Sequence, residues 1–177
     1  TTEIYTLSLH DALPIWNFVS ALLAIAPFFV VFVYYRNFEA VIFVHALFLF
    51  LLILARELIK DLESIAGDMA QNYRTVPIIY GHRVSKLIIG LLIGLTLIPA
   101  LLLIQIFDVG YMYLYFWMCI ALLGLFIVLL IKANGKKHYV WLHNILKFII
   151  VAGVFSILLI DVDLVLNRIL WWKTNSK

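Results

Sequence analysis

Residues 56–77, RELIKDLESIAGDMAQNYRTVP, form the one strongly polar block in a chain otherwise made of long apolar runs. AVIFVHALFLFLLILA (40–55) precedes the block, and KLIIGLLIGLTLIPALLLI (86–104) follows it. Flanking runs of that length read as membrane spans, and the block between them marks where the chain leaves the bilayer. Charge held beside two spans is expensive unless it has work to do, so function is sought here first.

The rest of the chain supports the membrane reading. Of its 177 residues, 66% are hydrophobic and 13% charged, a balance that would leave a water-soluble domain of this size with large exposed apolar patches. A helix of roughly 20 apolar residues crosses the hydrocarbon core. Five runs qualify, near 15–35, 40–58, 87–107, 112–132 and 142–161. They lack the alternating polarity of barrel strands, so the expected fold is an all-α integral membrane protein with five transmembrane helices. Pro27 and Pro99 fall inside runs and are expected to kink their helices rather than break them. Cys119 lies in an apolar run and reads as a small buried residue.

The formal charge of +3 is too small to suggest a nucleic-acid partner. The basic residues sit at the ends of runs, as topology signals. Alternating the spans puts Arg56, Lys60, Arg74, Arg83, Lys86, Lys132, Lys136 and Lys137 on one side, against Arg36, Arg168, Lys173 and Lys177 on the other. That asymmetry places the polar block in the cytoplasm of a multi-pass plasma-membrane protein. Trp171, Trp172 and Lys173 suit a headgroup anchor. Residues 1–14, TTEIYTLSLHDALP, have neither a signal peptide's basic start nor a span's hydrophobicity. EIYTLSLHDALPI resembles a translated sequencing adapter, so residues 1–14 are expected to be a non-native extension and 15–177 the membrane domain, its polar motif loop covering 56–86.

At about 100° per residue, Glu57, Asp61, Ser64 and Asp68 share one face of a helix and form an acidic ridge at the membrane surface, with Lys60 and Glu63 projecting elsewhere. Neighbouring carboxylates repel, and a Mg²⁺ ion relieves that repulsion while accepting phosphate oxygens as well. Gly67 would loosen the helix beside Asp68. Arg74 can grip a phosphate with two parallel hydrogen bonds and Thr75 can add a third. A solvated loop whose charges only fix topology is the bland alternative.

The block is similar to the second aspartate-rich motif of the UbiA superfamily of membrane prenyltransferases, and most of all to the geranylgeranylglycerol-phosphate geranylgeranyltransferase-like branch. That branch carries R-E-x-x-K-D-x-E-D-x-x-G-D followed by T-x-P. Arg56, Glu57, Lys60, Asp61, Glu63, Gly67, Asp68, Thr75 and Pro77 match it. The family has nine helices with this motif after the sixth, so the five spans correspond to the C-terminal part of its bundle. The family's D-x-x-x-D pair falls on positions 64 and 68, where this chain has Ser64 and Asp68; Asp61, one turn earlier, could supply the missing oxygen. A further aspartate-rich motif near the family's second helix has no counterpart in these residues, so the fragment alone is expected to be inactive.

For the intact protein the resemblance implies Mg²⁺-dependent transfer of a polyprenyl group, geranylgeranyl by the branch, from an allylic diphosphate to a lipid or aromatic acceptor. Asp61, Ser64 and Asp68 are the implied metal positions, and Asp61, Asp68 and Arg74 the catalytic ones. Lys60, Asn72, Tyr73, Arg74 and Thr75 are the implied substrate-binding residues, with Tyr80 a further candidate for the acceptor site. His45, Gln105 and Asn17 are expected to hydrogen-bond between helices. His138 and His143, five apart, do not share a face as metal ligands would. A transporter would need charges near mid-membrane in several spans, whereas these charges lie at span ends; an inert membrane fragment is the remaining alternative.

Overall fold

The computed structural model describes residues 13–36, 38–107 and 109–156. Five helices follow one another: α1 (Leu13–Tyr35), α2 (Ala40–Ala70), α3 (Val76–Gln105), α4 (Tyr113–Lys132) and α5 (Lys136–Ser156), with a 3₁₀ turn at Gly110–Met112 leading into α4. Each expected run thus has a helix in its described part. Four, α2 to α5, are long and apolar enough to cross a bilayer, and α1 carries the apolar run Ile15–Pro27. The protein is an all-α, multi-pass membrane protein. Residues 1–12 of the expected extension, and Trp171, Trp172 and Lys173, lie outside the described residues.

The ends differ from expectation, most of all in α2. Its 31 residues make about 46 Å of helix at 1.5 Å per residue, against a hydrocarbon core of roughly 30 Å. Ala40 to Ile59 suffices to cross, and the turns from Lys60 to Ala70 stand beyond the bilayer. The polar motif loop expected at 56–86 is therefore helix up to Ala70, a link over 71–75, and then α3. Hydropathy falls where the bilayer stops, but the Leu, Glu, Lys and Ala residues of this stretch are good helix formers and carry the helix on. It ends where Asn72 takes a left-handed conformation (φ 55°). There Tyr73 N–H donates to the Asp68 carbonyl at 2.9 Å, satisfying a carbonyl the helix leaves open.

Pro27 and Pro99 both sit inside continuous helices. The irregular point in α3 is instead Gly81, with φ 79° and ψ 168°, a conformation that glycine adopts without the strain a side chain would bring. It separates the opening turns, Val76 to Tyr80, from the shaft that crosses the membrane.

Helix α2 packs against α1, α3 and α5, and α4 closes the group against α3 and α5. Aromatic rings fill the middle: Phe48 of α2 meets Phe116 of α4 edge-on at 5.4 Å between centroids. The Tyr115 hydroxyl donates to the Ile149 carbonyl at 3.0 Å, tying α4 to α5. Gly153 makes room for it, since a Cβ there would lie 2.7 Å from that hydroxyl oxygen; small residues commonly permit such approaches in membranes. Cys119 is buried, as expected. His45 departs from expectation: its Nδ1 meets the Val41 carbonyl of its own helix at 3.2 Å, and its ring touches Phe116 of α4 edge-on at 5.4 Å. Gln105 is exposed as the last residue of α3. Because the helices alternate, the C-terminal ends of α2 and α4 and the N-terminal ends of α3 and α5 share one polar end.

Candidate active site

The outer turns of α2 carry the ridge, and the structure divides it. Glu57 is buried and paired with two cations, Arg56 Nη2 donating to its Oε1 at 2.5 Å and Lys60 Nζ lying 3.6 Å from its Oε2. Lys60, expected to project away from the ridge and bind substrate, is thus engaged with its first member. Both Glu57 carboxylate oxygens face a cation. The second half is different: Ser64 Oγ donates to Asp68 Oδ2 at 3.0 Å, and Asp61 lies close enough to Asp68 to feel its charge.

Asp61 is held from another helix. Asn17 of α1 donates from Nδ2 to Asp61 Oδ2 at 2.7 Å, the interhelical use expected of Asn17. Burial pushes the Asp61 carboxyl up to about 6, the Asn17 hydrogen bond opposing the rise and the charges of Asp68 and Glu57 adding to it. Asp68 stands two residues from the end of α2, whose last turn contains no basic residue. The helix dipole places partial negative charge there, which favours a cation beside this end.

Beyond the helix, Asn72, Tyr73 and Arg74 are exposed on the link. Asn72 has a structural role, as the left-handed residue that stops α2. Thr75 begins α3 and accepts from the Ile78 and Ile79 N–H groups through its carbonyl. Its own hydroxyl is buried without a hydrogen-bond partner. An unpaired buried hydroxyl costs roughly 1–3 kcal/mol, which a ligand oxygen would recover. Tyr80 is 59% exposed in the first turns of α3.

The donor set fits Mg²⁺. Among the described residues no three His, Cys, Asp or Glu side chains gather as a metal cage. Asp61 and Asp68, with the Ser64 hydroxyl beside them, are hard oxygen donors. Mg²⁺ characteristically takes one or two carboxylates and fills the rest of its octahedron with water and substrate phosphate.

Some contacts escaped sequence reasoning. Glu63, on another face of α2, meets His143 Nδ1 of α5 at 3.0 Å, so His143 is a buried interhelical partner. His138 is exposed, its Nδ1 at 3.1 Å from the Asn134 carbonyl. The spacing of the two histidines separates them, but nothing in it marks Glu63 as the partner of His143.

A bundle of apolar helices, four of them long enough to cross a bilayer, defines a class, the multi-pass integral membrane proteins. The sequence profile of the UbiA prenyltransferase family matches residues 2–148, and the chain belongs to that family. Among its relatives are proteins named digeranylgeranylglyceryl phosphate synthase. The one from Methanobrevibacter smithii is 41% identical over 69 residues, 38% of this chain and 24% of the relative. Those from Thermococcus onnurineus and Thermococcus sibiricus are 34% and 36% identical over 112 and 115 residues, covering 62% and 64% of this chain and 40% of each relative. The chain thus spans well under half the length of the relatives it matches. No solved structure matches it significantly.

Proposed function

We propose that the protein carrying this chain transfers a geranylgeranyl group from its allylic diphosphate to a lipid acceptor such as geranylgeranylglyceryl phosphate, with Mg²⁺ as cofactor and release of diphosphate. The observation that carries the reading is the set of Asp61, Ser64 and Asp68 on one face of the outer turns of α2, with Ser64 bonded to Asp68. The names of the relatives support the acceptor. The polar end faces the cytoplasm of the plasma membrane in this reading, as its excess of basic residues favours.

Asp61 and Asp68 would hold the metal, whose contribution when bound is to neutralise the diphosphate as the allylic carbon–oxygen bond breaks. Asp61 must be ionised to serve. Asn17 favours that form by donating to the carboxylate, and Ser64 holds the Asp68 carboxylate through its own hydrogen bond. Arg74 and the Thr75 hydroxyl bind diphosphate oxygens, adding positive charge and a hydrogen bond where negative charge develops. Lys60, Asn72 and Tyr73 line the approach to that group. Water is kept from the reacting carbon by the apolar helices among which the prenyl tail lies.

The test uses membranes containing the full-length protein. Radiolabelled geranylgeranyl diphosphate, Mg²⁺ and geranylgeranylglyceryl phosphate should yield a labelled ether lipid. Loss of product on chelation, and on Asp68→Ala, supports the assignment; full turnover by Asp68→Ala would refute it.

A further inference from the structure

The polar end holds a second, oppositely charged feature. Between the shaft of α3 and the end of α4 lies a cleft of about 1000 Å³, with His82, Arg83 and Lys86 at its rim and Leu87, Leu91 and Ile131 along its walls. None of the lining residues is acidic. From Arg83 to Leu91 the helix descends about 12 Å, from headgroup depth into the hydrocarbon region.

Three elements build the rim. Lys86 donates to the Ala133 carbonyl of the α4–α5 link and lies 6.0 Å from the ring centroid of Tyr139 on α5. Its ammonium has three donors, so others remain for a ligand. Tyr139 in turn stacks on His82, with centroids 6.2 Å apart and planes 19° apart. Lys86 is therefore positioned by packing, and Arg83, three residues before it on α3, is exposed at the rim. Charge complementarity calls for an anion, and the apolar walls below call for a chain attached to it.

We propose that this cleft binds a bilayer lipid with an anionic phosphate headgroup, its phosphate on Arg83, Lys86 and His82 and one hydrocarbon chain along Leu87 and Leu91. The lipid is a component of the membrane, distinct from the acceptor that reacts. Arginine grips the phosphate as a two-pronged donor and lysine as a point charge. The site does not depend on the acidic ridge.

The experiment takes the full-length protein in neutral detergent and measures lipid retained on the intact protein by mass spectrometry. Phosphatidylglycerol and phosphatidylcholine of equal chain length are the probes. Phosphatidylglycerol is expected to be retained at least tenfold better, and the double variant Arg83→Gln, Lys86→Gln should reduce it to the phosphatidylcholine level. Gly90→Phe is the second probe, because a Cβ at Gly90 meets nothing within 4 Å. Its ring would fill the apolar wall while leaving the rim charges in place, and retention should fall again. Equal retention of the two lipids, or variants that behave like the parent, would overturn the proposal. Displacement by inorganic phosphate alone would show a free-anion site and overturn it too. So would displacement by geranylgeranylglyceryl phosphate with a raised KM for that acceptor in the double variant, which would make the cleft a substrate site. Asp68→Ala should leave retention unchanged, so failure here and failure of the prenyl-transfer reading are separable.

Discussion

The outer turns of α2 and the α3–α4 cleft lie at the same polar end, yet they handle charge in opposite ways. At the end of α2 two carboxylates gather on one helix face with no basic residue in the last turn, and burial raises the Asp61 carboxyl. In the cleft, Arg83 and Lys86 gather without any acidic residue among the lining side chains, and Lys86 is steadied by a carbonyl and an aromatic ring. On the proposed readings one takes a cation together with phosphate and the other an anion with an apolar tail, and their separation keeps acids and bases from neutralising one another. Glu57, flanked by Arg56 and Lys60, shows what happens where they are adjacent: the carboxylate is paired from both sides.

Asp68→Ala offers the largest test of that separation. Product formation should fall by well over the roughly 10–100-fold that loss of a supporting residue costs a metal site, while phosphatidylglycerol retention stays at the parent level. The double variant Arg83→Gln, Lys86→Gln should do the converse, losing the lipid while keeping Mg²⁺ affinity, as calorimetry with the full-length protein would show. If either variant moves both readouts together, the two regions are one site and the comparison fails.

How much of this could be read from the sequence follows from the distances along the chain that each contact bridges. All five apolar runs have a helix in their described part, because a span must satisfy its backbone internally and therefore announces itself by length and composition. Asp61, Ser64 and Asp68 were legible as a set because they lie on one helix at intervals of three and four. The lower end of α2 was not, since hydropathy reports the thickness of the bilayer and not the persistence of the helix. Asn17 reaches Asp61 across 44 positions, Lys86 reaches the Ala133 carbonyl across 47, and His143 reaches Glu63 across 80. Those pairs depend on which helix faces which, and no local spacing carries that information.

The next largest effect is a pH dependence belonging to the acidic region alone. Asp61 must lose its proton to bind a cation, and burial holds its carboxyl at about 6. Above that pH the ionised form dominates; as pH falls through it the proton competes, and Mg²⁺ affinity should drop by about tenfold per pH unit. Asn17→Leu removes the hydrogen bond that favours the ionised form, so the fall should begin at higher pH. A charge-assisted hydrogen bond of about 1.4 kcal/mol corresponds to about one pH unit. Isothermal calorimetry of Mg²⁺ binding between pH 5 and pH 8, in both proteins, checks the direction. A profile that does not move, or moves to lower pH, would separate Asn17 from the site.

Ser64 carries the smallest expected effect and the most specific information. Its hydroxyl donates to Asp68 Oδ2, fixing one carboxylate oxygen and leaving the other for a cation. Ser64→Ala removes that restraint without adding or removing charge, so Mg²⁺ affinity should fall by about tenfold, the low end for loss of a supporting hydrogen bond. Ser64→Asp acts differently. It places a third carboxylate on the face, where repulsion in the free protein is relieved only by a divalent ion, so Mg²⁺ should bind more tightly and its removal should destabilise the helix end. If Ser64 only steadies Asp68, Ser64→Ala weakens binding and Ser64→Asp strengthens it. If instead the hydroxyl is itself a required ligand of fixed geometry, both substitutions weaken binding, and the sign of the Ser64→Asp change decides between the two roles.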